Sequence, residues 1–136
     1  MVANLRAPLD AARPGLIRWL RISAPLLTLL VLIQAVFAGR GIAKGSGYDL
    51  HGQIGNSTLL VVLIQTALVV AIGLRGQART LLLGGNLLLL LLVIAQLGLG
   101  YGGRDSSTAA ALHVPNGVLI FGLTTAVLSL VYRLDR

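Results

Sequence analysis

Four stretches of this chain, residues 22–38, 51–74, 80–99 and 109–132, contain no Asp, Glu, Lys or Arg. Each is near the ~20 apolar residues that carry a helix across a bilayer. In lipid a backbone must satisfy its own N–H and C=O groups, and a helix does so within one segment. With 136 residues, 56% of them hydrophobic and only 11% charged, and a mean hydropathy of +0.88, the chain has more apolar surface than a soluble domain of its length can hide. The expected fold is all-α: an integral membrane four-helix bundle in one domain, residues 22–136, preceded by a basic segment, residues 1–21. Cysteine is absent, which excludes disulfides, thiolate metal sites and cysteine catalysis.

The charges orient the bundle. Arg6, Arg13, Arg18, Arg21, Arg75, Arg79, Arg133 and Arg136 fall on one side of the expected spans, and Arg40, Lys44 and Arg104 on the other. The positive-inside rule then puts both termini in the cytoplasm of a bacterial cell, in its inner membrane. The net charge of +7 reflects this topology and contact with anionic headgroups, so nucleic acid is not an expected partner. From Pro14 to Arg21 the pattern suits either a short helix in the headgroup region or a solvated lead-in. Ser23 and Pro25 suit the start of the first span. A glycine-rich loop is expected from Gly39 to Tyr48, with Asp49 capping the second span. Pro115 frees the carbonyl of Ala111, so the fourth helix is expected to begin or kink there.

A spacing occurs twice. Gln34 is followed seventeen residues later by His51 and four beyond that by Gly55; Gln96, His113 and Gly117 repeat the pattern at an offset of 62, and the chain has no other histidine. Each unit contains two spans, so the copies run the same way through the membrane, as a parallel repeat about an axis along its normal. The histidines are then expected at one depth, facing each other near the outer surface. Each glycine lies one turn further in on its histidine's helix face, with the glutamines beside them. Two imidazoles across a gap in a bundle core are the donor set for a haem b. His51 and His113 are the expected metal ligands, with Gly55 and Gly117 giving clearance and Gln34 and Gln96 contacting the imidazole nitrogens that do not bind iron. Arg40 and Arg104, with Lys44, are expected to meet the propionates, and Tyr48 and Tyr101 to donate hydrogen bonds to them.

Such a protein is a small b-type cytochrome for electron transfer or haem handling. With both axial positions filled it does not activate oxygen, and no catalytic constellation marks the chain as an enzyme. A haem near one face needs a quinone or another redox or haem protein to carry electrons further. Each feature also has a plainer reading. A histidine at a helix end can be interfacial, the glycines can be packing positions, the glutamines can bond each other, and the loop cations can be ordinary charges. The alternative function is therefore a cofactor-free scaffold or accessory subunit that packs on a partner or a second copy through small residues such as Gly84 and Gly85. A transporter is disfavoured because the spans carry no charged residue.

Two resemblances bear on this. Tyr48-Asp49-Leu50-His51-x-x-x-Gly55, with Ala111-Leu112-His113-x-Pro115-Asn116-Gly117-x-Leu119-Ile120, resembles a family of small four-span membrane proteins common in actinobacteria, over most of residues 22–130. The architecture also resembles one half of haem A synthase, a tandem of four-helix bundles whose halves carry histidines on their second and fourth helices, as His51 and His113 are here. The catalytic half of that enzyme has a glutamate shortly before its first histidine and a further histidine. This chain has Tyr48 about there and no glutamate at all. The resemblance thus implies the cofactor-holding half, and no haem oxidation.

Overall fold

A computed structural model describes residues 13–134, so the expectations for Arg6, Arg136 and both chain ends lie outside the described residues. It contains four helices in chain order: α1, Pro14–Lys44; α2, Tyr48–Ile72; α3, Gly76–Gly102; and α4, Ser107–Val131. All four are long and apolar enough to cross a membrane, consistent with a multi-pass membrane protein. At ~1.5 Å per residue even the 25-residue helices exceed the ~30 Å hydrocarbon layer.

The helices outrun the apolar stretches inside them. Between α1 and α2 only Gly45, Ser46 and Gly47 are non-helical, not the whole of 39–48, because falling hydropathy marks the edge of the lipid and not the end of the helix. Gly45 and Gly47 make this turn with φ of 65° and 110°, angles that disfavour any residue with a Cβ. Gly47, not Asp49, is the N-cap of α2. Pro14 lies in the first turn of α1, and the helix runs unbroken from there through Pro25, so residues 14–21 are continuous with the first span and form no separate interfacial helix. Helix α4 likewise begins at Ser107 and passes through Pro115. Its start is capped by Ser106, whose Oγ accepts from the Ala109 N–H.

Short turns make neighbouring helices antiparallel. α1 packs on α2 and α4, α3 packs on α2 and α4, and the backbones of the diagonal pairs do not approach. One end of the resulting square carries Arg13, Arg18, Arg21, Arg75, Arg79 and Arg133; the other carries the histidines with Arg40, Lys44 and Arg104. We call these the arginine end and the histidine end.

The core is uneven along the bundle. From α1 it draws Ile17, Leu20, Ala24 and Leu27, and beyond Leu27 only Gly41 is buried on that helix. On α3 nothing is buried beyond Val93, and on α4 nothing nearer its start than Ile120. Packing is therefore dense toward the arginine end and opens toward the histidine end. Within the dense part, Gln65 and Asn86 are wholly buried and joined by Gln65 Nε2 donating to Asn86 Oδ1 at 2.8 Å. Asn86 Nδ2 in turn donates to the Leu82 carbonyl. Pro25 cannot donate to the carbonyl of Arg21 four residues back. The Tyr132 hydroxyl donates to that carbonyl instead, at 3.2 Å, tying α4 to α1.

Candidate functional site

His51, in the first turn of α2, and His113, in the second turn of α4, meet across a diagonal of the bundle. Their ring centroids are 5.8 Å apart with planes inclined at 63°. Each is held by the glutamine expected beside it, by different atoms. His51 Nδ1 lies 2.9 Å from the backbone carbonyl of Gln34. A carbonyl only accepts, so this nitrogen carries a proton, and in the neutral ring Nε2 keeps its lone pair.

For His113 the proton is set by a longer chain. Asn116 Nδ2 donates to the Leu92 carbonyl at 3.0 Å and to Gln96 Oε1 at 2.7 Å. That leaves Gln96 Nε2 to face His113 Nε2, 3.1 Å away, and to donate to it. His113 therefore also carries its proton on Nδ1, where the atom is buried without a hydrogen-bond partner. In the neutral ring each histidine is thus the Nδ1–H tautomer, the form that binds a metal through Nε2. His51 has that atom free of protein hydrogen bonds among the described residues, whereas His113 has it engaged by Gln96.

The glycines act differently from the simple clearance expected. A Cβ on Gly55 would stand 2.9 Å from Gln34 Nε2, and one on Gly117 would stand 3.2 Å from Gln96 Nε2. Their bareness makes room for the glutamine amides. The glycine that accommodates an imidazole is Gly100 on α3, where a Cβ would meet His113 Cε1 at 3.0 Å and Nδ1 at 3.4 Å. The nitrogen-bearing edge of His113 is thus parked on α3 between Gln96 and Gly100.

A cavity of about 460 Å³ adjoins the pair, within the ~300–1,000 Å³ usual for cofactor and small-molecule sites. Its polar lining is confined to Gln34, His51, Thr58, Gln96 and His113, and Gly55 and Gly117 also line it. The fold thus brings together six of the eight expected site residues. Arg40 and Arg104 do not line the cavity. Both are exposed, Arg40 with its guanidinium 5.8 Å from the centre of the Phe37 ring and Arg104 with its own 5.3 Å from that of Tyr101. Nor do the tyrosines line it: the Tyr48 ring packs on Gly41, and the Tyr101 hydroxyl accepts from Asn56. Among the described residues no group of three or more His, Cys, Asp or Glu side chains gathers to hold a metal ion.

Sequence reasoning missed Asn116 and Gly100. Asn116 had a readable signal, as an amide three residues from His113 and so on the same helix face, in an otherwise apolar run. Gly100 had none, being one of 17 glycines. Comparison of the chain with protein-family models, curated proteins and solved structures gives no match.

Proposed function

We propose that this protein is a small membrane cytochrome of b type, holding one haem between His51 and His113. The observation that carries the reading is the meeting of the chain's two histidines over an apolar cavity. The two rings stand 5.8 Å apart, centre to centre, and would hold the haem iron through their Nε2 atoms. The donor chemistry fits on the His51 side without change, since Nδ1–H donates to the Gln34 carbonyl and leaves Nε2 for the metal. On the other side Nε2 of His113, now engaged by Gln96, would have to leave that amide to serve as a ligand. Held by two imidazoles, a haem supplies a one-electron centre with no open coordination position. The chain's own contribution is to fix both tautomers and keep charged side chains out of the cavity. The resemblance to the cofactor-holding half of haem A synthase points the same way.

The parallel repeat and the orientation belong to the same proposal. In each unit a glutamine contacts the histidine seventeen residues on and lies against the following glycine; the positions match between the units although the contacting atoms differ, which supports a twofold about the membrane normal. The histidine end then faces outward and both termini are cytoplasmic.

The test is optical. Membranes containing the protein are expected to give a reduced-minus-oxidised b-type difference spectrum that is lost in His51→Ala and in His113→Ala. A purified protein that stays colourless after haemin is added refutes the reading.

A further inference from the structure

We infer that haem reaches the histidines sideways from the bilayer, through the seam between α1 and α4. This rests on the haem reading above and adds the source and path of the ligand. The Tyr132–Arg21 bond fixes the antiparallel register of the two helices. Counting equal numbers of residues toward the histidine end brings Leu32 level with Phe121, Ala35 with Val118 and Gly39 with Val114. All six line the cavity, which residues of all four helices enclose and which extends along this seam. Its rims are exposed, with Val118 at 67% and Val114 at 65%, and its α1 wall is thinned by Ala35, Ala38 and Gly39.

The other seams are closed beside the histidines. The 45–47 turn and the Tyr48 ring on Gly41 close α1–α2. Leu97 against Gly55 and the Asn56–Tyr101 bond close α2–α3, and Gly103 against Ala110 closes α3–α4. Among the described residues no hydrogen bond joins α1 to α4 at the histidine end. α1–α4 is also the loosest of the four packings. Everything around this opening is apolar, and no charged side chain lines the cavity. A flat ring, apolar apart from its two propionates, meets no polar barrier on this path and leaves an apolar edge against the lipid tails, with the propionates turned to the histidine end, where Arg40, Lys44 and Arg104 lie.

An order-of-addition experiment decides it. The chain has no cysteine, so the double variant Ala35→Cys with Val118→Cys offers only two thiols, which a short bis-maleimide ties across the seam in the folded, reconstituted protein. Asn56→Cys with Tyr101→Cys, tied in the same way across α2–α3, is the control. Haemin is supplied from vesicles in which it has dissolved, and loading is followed by absorbance. Tying α1 to α4 before haemin is expected to slow loading about tenfold or more, as closing a binding path does. The same tie made after loading is expected to retain the pigment, and the control tie to leave loading unchanged. Loading of the tied protein at the untied rate overturns the lateral path while leaving the haem reading intact. An untied protein that takes up no histidine-dependent pigment overturns both.

Discussion

His113 is bound on Nε2, the nitrogen proposed to ligate the metal, by Gln96, and Gln96 is turned that way by Asn116. The ring is therefore parked, and binding a metal there must displace it from α3. A methyl group at position 100 would press on the parked ring at Cε1 and Nδ1 and not on a ring that has left. Gly100→Ala is accordingly expected to tighten haemin binding about fivefold, matching ~1 kcal/mol of overpacking relieved on binding. An absorbance titration reads the change, and an unchanged or weaker affinity means that the ring stays on α3 when haem binds. This detail was not legible in the sequence. The spacing of Gln34, His51 and Gly55 and its copy located the partners, because short loops and helical repeats convert spacing into contact. Which nitrogen meets which amide depends on Asn116, whose role emerges only once α3 and α4 are rotated against each other.

The helices themselves were legible in number and poorly legible in rotation. Charge-free runs of about the right length are what a bilayer demands, so four spans follow. Helices apolar all the way round carry no stripe to say which face turns inward. This is why Gln65 and Asn86 were not recognised as a buried pair and Arg40 was expected near the haem. Element ends were misjudged because lipid edge and helix end were treated as one. The link between α1 and α4 gives a test at this scale. If Tyr132 replaces the hydrogen bond that Pro25 cannot make, Tyr132→Phe costs ~0.5–1.5 kcal/mol of unfolding free energy in detergent, the usual worth of such a bond. In a Pro25→Ala background, where a backbone N–H at that position serves the Arg21 carbonyl, the same change is expected to cost close to nothing. Equal costs in both backgrounds refute the replacement.

For the whole molecule, six of the eight described arginines gather at one end, and among the described residues the acids Asp49 and Asp105 lie at the other, with Arg40 and Arg104. The proposed orientation is read with a thiol reagent that does not cross membranes, applied to intact cells. It is expected to label Arg104→Cys and to spare Arg75→Cys until the membrane is opened; the reverse pattern inverts the topology. The uneven core also bears on how the site comes into being. Of the four helix packings, three join consecutive helices through a short turn. The seam between α1 and α4 instead joins the two described helices farthest apart in the chain, and the ribosome delivers α4 some ninety residues after α1. His51 has no facing imidazole and the cavity has no second wall until α4 is in the membrane. On the proposed reading, a nascent chain that has inserted only α1 to α3 would have no haem site to fill, so pigment would be acquired only once α4 is in the membrane.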